Sequence, residues 1–187
     1  NKKNLLITFH PVTLEKDSSS DQVSELLNAL MELNDTTLIF TMPNADLGNN
    51  VIFNLIKYFV DNHEHAYSFN SLGQQNYFSC ISHVDAVVGN SSSGILEVPT
   101  FKKGTINIGD RQKGRVQAKS VINCSPTKSD IQRAIDYLYS NQFQNSLAKV
   151  KNPYGDGGAS KRIINILNKI NFEKVIKKEF FDLKMSE

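Results

Sequence analysis

Only two cysteines occur in the 187 residues, and long apolar runs and stretches of one charge sign are missing altogether. Each shortage removes a class of function. Cys80 and Cys124 lack CxxC spacing and sit in apolar surroundings, which excludes a cysteine-built zinc site and reads as two packed thiols in a reducing compartment. No run approaches the roughly 20 apolar residues of a membrane span, and no signal-peptide pattern opens the chain, so a cytoplasmic protein without a membrane partner is expected. In that setting the Asn-x-Ser/Thr triplets at Asn34, Asn90 and Asn123 are chance matches. The 21 basic and 19 acidic residues leave a formal charge of +2 and are interspersed. No basic stripe advertises a nucleic acid. The glycine-rich loops of dinucleotide and P-loop folds are also absent.

What is present is a regular alternation, with 40% hydrophobic residues to build a core. Apolar, β-branched runs at 5–9, 36–42, 65–69, 85–89, 104–109 and 120–124 read as strands. Between them, helical periods are expected over 18–33, 51–63, 74–84 and 93–98, with further helices from Thr127, whose Thr-x-x-Asp spacing is a capping box, and from Gly158. The segment 172–185, "FEKVIKKEFFDLKM", reads as an amphipathic helix or a tail. Strands alternating with helices predict an α/β protein with a Rossmann-like, doubly wound parallel sheet of about six strands. In such sheets ligands bind beyond the carboxyl ends of the strands. The loops "FHP", "TMPN", "VVGNSSS" and "NIGDRQKGR" all follow strands and so share one rim.

Within "DAVVGNSSSGILEVP", residues 85–99, three serines stand between a strand and a helix. Free N–H groups of a first helical turn make an anion site there, and Ser91 and Ser92 add hydroxyl donors. Gly94 is expected to let a ligand approach the backbone. A single serine would serve as a helix cap, but three with a glycine exceed that need. The pattern misses the Gly-x-Ser-x-Gly of a hydrolase elbow by one place. Glu97 is either a solvated carboxylate or a bidentate acceptor for a ribose diol. Arg111, Lys113 and Arg115 form a short basic loop, in which a guanidinium suits a phosphate. His10, fixed before Pro11, is either structural or a ligand contact, and no second His or Cys stands near it to make a metal site.

Taken together, "TFHPVT", "GNSSSGILEVP", "NIGDRQKGR" and "YGDGGASKRI" resemble the hydrolysing UDP-N-acetylglucosamine 2-epimerases of sialic- and legionaminic-acid biosynthesis, over residues from about 5 to 170. The fourth motif departs mildly, with Gly158 in place of an expected Asn. The resemblance is to the C-terminal half of that family. It implies the second domain of a glycosyltransferase-B-like fold: a nucleotide-binding domain over 1–170, a helix or tail over 171–187, and an N-terminal catalytic domain absent from this chain. The chain begins at Asn1 close to a strand, which agrees with a piece of a longer polypeptide. By the same resemblance His10, Ser91 and Ser92 contact a diphosphate, Glu97 the ribose, Arg111 the phosphate or sugar side, and Asn44 the cleft. The segment around Leu72 and Tyr77 walls the base. The implied partner is UDP or a UDP-sugar, with no cofactor and no metal, and the parent enzyme would pair as a homodimer. Its reaction is anti elimination of UDP across C1 and C2 of the sugar, then hydration of the glycal to N-acetylmannosamine, with the catalytic carboxylates in the absent half. A glycosyltransferase half and a non-catalytic nucleotide-binding module remain the alternatives.

Overall fold

A computed structural model describes residues 2–12, 18–43 and 49–172. The strands are β1 (Lys3–Thr8), β2 (Thr36–Thr41), β3 (Ala66–Phe69), β4 (Ala86–Gly89), β5 (Gly104–Ile108) and β6 (Val121–Cys124). They form one sheet in the order β3-β2-β1-β4-β5-β6, parallel throughout. The chain builds outward from β1 to β3 and then crosses back to place β4 on the other side of β1. This reversal opens a crevice between β1 and β4, the topological switch point at which doubly wound sheets bind ligands.

The helices are α1 (Ser18–Leu30), α2 (Asn49–Asp61), α3 (Gly73–His83), α4 (Ser93–Leu96), α5 (Lys128–Leu138), α6 (Asn141–Leu147) and α7 (Ala159–Leu167). Thr127 caps α5 as its spacing predicts, accepting from the Asp130 amide. Two helices depart from expectation. The helix expected over 93–98 is a single turn, because Pro99 has no N–H to continue it and the chain tightens into a 3-10 turn over Val98–Phe101. The unanticipated α6 is set by Ser140, whose hydroxyl accepts from the Phe143 amide while Phe143 and Leu147 turn inward.

The core has two layers because β1 is covered on both faces. Leu5, Ile7 and Phe9 join residues of α1, α2 and α5 in one cluster, and Leu6 joins Ile81, Val84, Val87 and Val98 in the other. Strands buried this way carry near-continuous apolar runs, which is why they stood out in the sequence. Each fully buried Leu, Ile or Phe contributes about 2 kcal/mol of transfer free energy.

Residues 1–154 and 155–187 are two compact units. The first holds the sheet and its helices through α6. The second contains α7, whose N-cap Gly158 has a left-handed φ of +73°, a conformation that Asn tolerates next best to glycine. There Arg162 Nη1 donates to the Gly157 carbonyl at 2.8 Å. The division falls ahead of the limit at 170 expected from the sequence. From residue 173 on, the expected helix or tail lies outside the described residues.

Candidate functional site

The register of the central strands sets the site. β1 lies against β2 with Thr8 beside Thr41, and against β4 with Thr8 beside Gly89. The two threonine hydroxyls stand 2.6 Å apart at the rim. At Gly89 the backbone has a φ of +140°, and a Cβ there would fall 2.0 Å from the Thr8 carbonyl oxygen. Only glycine lets the two strands leave the sheet side by side at this point.

The loops beyond are locked by Asn90, which is completely buried. Its Oδ1 accepts from the His10 amide at 2.7 Å, and its Nδ2 donates to the His10 carbonyl at 2.8 Å. Its own amide donates to the Thr8 carbonyl at 3.3 Å. Arg111 Nη1 and Gln112 Nε2 both donate to the Asn90 carbonyl, at 3.0 and 2.9 Å. One residue thus ties together the chain segments that follow β1, β4 and β5. Each such bond is worth about 1 kcal/mol net, whereas leaving a buried partner unpaired costs about 1–3 kcal/mol, so the lock is cooperative.

Beside this lock a cavity of about 510 Å³ opens between the ends of β1 and β2 and the first residues of α3 and α4. His10, Leu72, Tyr77, Ser91 and Glu97 line it. Thr8, Thr41 and Ser93 line it as well, and the sequence reading passed over all three. Their signal was a hydroxyl residue at the carboxyl end of each apolar strand, and a third serine in a motif already singled out. Asn44 lies outside the described residues.

Ser92, Gly94 and Arg111 are not among the residues that line the cavity. Ser92 has helical φ and ψ of −63° and −24° and makes no side-chain cap. Its carbonyl accepts from the Ile95 and Leu96 amides at 3.0 and 2.9 Å. Gly94 is a packing glycine: a Cβ there would lie 2.5 Å from Thr105 Cγ2, and its carbonyl accepts from Thr105 Oγ1 at 2.7 Å. Within the chain, the close neighbour that requires glycine is β5. Arg111 reaches the site through Asn90. Because α4 is one turn long, the donors at this wall are local amides and hydroxyls and owe little to a macrodipole. Among the described residues, the amides of Ser91 and Ser92 have no hydrogen-bond acceptor.

Tyr77 donates from Oη to Ser93 Oγ at 2.9 Å. Burial pushes its phenol above the ordinary value; the bond to Ser93 works against this, and the nearby Glu97 charge adds to it. The phenol is therefore protonated, a donor, through the neutral range. No three His, Cys, Asp or Glu side chains come together as a metal cage among the described residues.

A second and larger cavity, of about 980 Å³, lies at the ends of β5 and β6 beside α5. Its polar wall is a ladder of neutral amides: Asn107 Nδ2 donates to Asn123 Oδ1 at 2.8 Å, and Asn123 Nδ2 to Gln117 Oε1 at 2.7 Å. Lys113 and Arg115 line this cavity while Arg111 turns to Asn90, so the basic loop does not converge on one point. Lys113 pairs with Asp110 at 3.2 Å, and Arg133 with Asp130. Cys124 is in the same wall, its thiol pushed up to about 12 by burial and by the Asp130 charge. Burial raises the Cys80 thiol too, so neither cysteine is a ready nucleophile.

Residues 1–168 match the family described as UDP-N-acetylglucosamine 2-epimerase. The chain is 36% identical over 184 residues to a polysialic acid biosynthesis protein of Escherichia coli, covering 97% of this chain and 47% of that one. It is 38% identical, with the same coverages, to the GDP/UDP-N,N'-diacetylbacillosamine 2-epimerase (hydrolyzing) of Campylobacter jejuni. In fold it is similar to the S. aureus MnaA–UDP co-structure, with a TM-score of 0.70 at 19% identity over 90% of this chain and 46% of that one. The chain spans about half the length of the relatives it matches. Its sheet is that of one half of a glycosyltransferase-B-like fold, and the chain belongs to the UDP-N-acetylglucosamine 2-epimerase family.

Proposed function

We propose that this member of the family is the nucleotide-binding part of a hydrolysing UDP-N-acetylglucosamine 2-epimerase. The observation that carries the reading is the Asn90 lock, which sets the His10 loop and the serine loop against one cavity at the switch point of the sheet. Hydroxyls and backbone amides converging there suit the oxygens of a nucleotide diphosphate. In this reading His10 and Ser91 meet the diphosphate with the Ser92 amide, and Glu97 accepts from the ribose hydroxyls. Leu72 and the Tyr77 ring wall the base, and Asn44 adds a contact from the loop after β2. Arg111 holds the Asn90 carbonyl with one nitrogen and keeps its remaining N–H groups for the phosphate side.

In the whole enzyme the sugar loses its C2 proton as the C1–oxygen bond to UDP breaks, and water adds to the resulting double bond. The groups that move those protons belong to the part of the relatives that this chain does not span. The domain over 1–170 therefore binds UDP or a UDP-sugar, works with an N-terminal domain of the same polypeptide in the cytoplasm, and belongs to a homodimeric parent.

Calorimetric titration of the chain with UDP, and separately with GDP, tests this. Saturable UDP binding is expected, weakened by Ser91→Ala and by Arg111→Ala, together with no release of N-acetylmannosamine from UDP-N-acetylglucosamine by the chain alone. GDP is the natural competitor because the name of the Campylobacter relative includes it. Binding of GDP in place of UDP would change the base, and binding of neither at millimolar concentration would overturn the reading.

A further inference from the structure

The serines of residues 91–93 are equivalent in sequence and unequal in structure. Ser91 lines the cavity, Ser92 is not among its lining residues, and Ser93 lines it while accepting a hydrogen bond from a phenol on another helix. A serine hydroxyl has one proton to give and two lone pairs to accept with. With Tyr77 Oη donating at 2.9 Å, one lone pair of Ser93 Oγ is occupied and its rotor is no longer free.

The neighbouring hydroxyls are close as well. Thr8 Oγ1 stands 2.6 Å from Thr41 Oγ1 and also shares a hydrogen bond with the Tyr77 hydroxyl, and Thr41 Oγ1 lies 3.5 Å from the Ile7 carbonyl. Thr8, Thr41, Tyr77 and Ser93 all line the same cavity, so its wall is a set of hydroxyls brought from β1, β2, α3 and α4. Within that set Ser93 accepts from the protein, and its own hydroxyl proton has no acceptor among the described residues.

We propose that Tyr77 is a positioning residue, whose hydroxyl holds Ser93 so that the Ser93 proton points into the cavity as a donor to an anionic phosphate oxygen of the bound nucleotide. The inference rests on the nucleotide reading above and extends it: α3, which would wall the base, also orients a donor for the phosphates. Ligand recognition at the two ends of the cavity is then linked through one hydrogen bond. A protonated phenol is required, and the burial of Tyr77 keeps it so.

The test is a double-mutant cycle read by UDP titration of the chain. Ser93→Ala removes the donor and is expected to weaken UDP binding about tenfold, the scale of a hydrogen bond to a charged group. Tyr77→Phe keeps the ring and removes only the hydroxyl, and is expected to cost about threefold to tenfold on the same scale. The double variant should be no weaker than Ser93→Ala, because of the two hydroxyls that Tyr77 meets, Ser93 and Thr8, it is Ser93 that carries the donor to the ligand. Ser93→Thr, which restores a hydroxyl, should recover most of the affinity. Losses that add in the double variant, or UDP binding unaltered in either Tyr77→Phe or Ser93→Ala, would overturn the proposal. If Tyr77→Phe lowers the melting temperature so far that it cannot be titrated, the Ser93→Ala and Ser93→Thr pair decides: equal affinity for the two would overturn it. Failure of the unmodified chain to bind UDP would instead overturn the nucleotide reading itself, and this inference with it.

Discussion

The two cavities at the carboxyl end of the sheet differ in what holds their polar groups. At the switch point the polar groups belong to segments far apart in the chain, and a buried asparagine joins residues 80 positions apart. At the β5 and β6 end, Lys113 and Arg133 each pair with an acid three residues away, and both cations are largely exposed. The second cavity is the larger and carries more formal charge, yet little of that charge is positioned. Exposed ion pairs are worth about 0–1 kcal/mol and are screened by salt. Buried neutral donors that the fold has already oriented need no further ordering when an anion arrives. What distinguishes the smaller cavity is the cost of the structure around it, and that cost is measurable.

The largest expected effect is on the lock itself. Gly89→Ala would force a Cβ into the Thr8 carbonyl and place alanine at a φ of +140°. The strands must separate or the backbone must rotate, and a loss of about 4 kcal/mol or more in urea unfolding is expected. Asn90→Ala should follow at about 3 kcal/mol, because the His10 amide and carbonyl lose their buried partners together. An Asn90→Ala chain as stable as the parent would mean that the loops after β1 and β4 hold their places independently, and the contrast between the cavities would disappear.

Part of this contrast was legible in the sequence. The strands were, because residues such as Leu5, Leu6 and Ile7 face two buried layers and leave an unbroken apolar run. The segment 85–99 was, because serines are concentrated where a strand becomes a helix. Which serine does what was not, since composition says nothing about the rotation of a one-turn helix shortened by Pro99. Asn90 was legible only as the start of the serine loop and not as its lock, because its partners lie 80 residues upstream and 21 and 22 residues downstream, and no local spacing reports such bonds. Gly94 stood out as a place for close approach, but its neighbour within the chain, the Thr105 methyl group, comes from a strand that no local spacing identifies. α6 was missed because its signal is one serine cap and two inward side chains.

A smaller effect separates the members of the basic loop. Arg111→Gln removes one of two donors to the Asn90 carbonyl while Gln112 keeps the other. UDP affinity should fall about tenfold, as for one charge-assisted bond, with only a modest change in stability. Arg115→Gln, in the wall of the larger cavity, should leave UDP affinity unaltered. Equal losses in the two variants, measured by the same titration, would mean that the loop acts as a diffuse positive patch and that the geometry at Asn90 is incidental.

The smallest effect is the one that tests the larger cavity. Lys113→Ala and Arg133→Ala each remove one partner of an exposed pair, so unfolding free energies should move by no more than about 0.5 kcal/mol. Raising the salt concentration should erase even that difference, because charges open to solvent are screened within a Debye length of about 8–10 Å. The Asn107–Asn123–Gln117 ladder contains no formal charge, so its bonds should be indifferent to salt and should keep this wall in place in both variants. UDP titrations of the two variants then separate position from charge. Affinity equal to that of the parent means that a cation near the rim contributes only if the fold has aimed it. A loss that vanishes in high salt would show the rim attracting the anion as a whole field, with the switch point as merely its nearest exit.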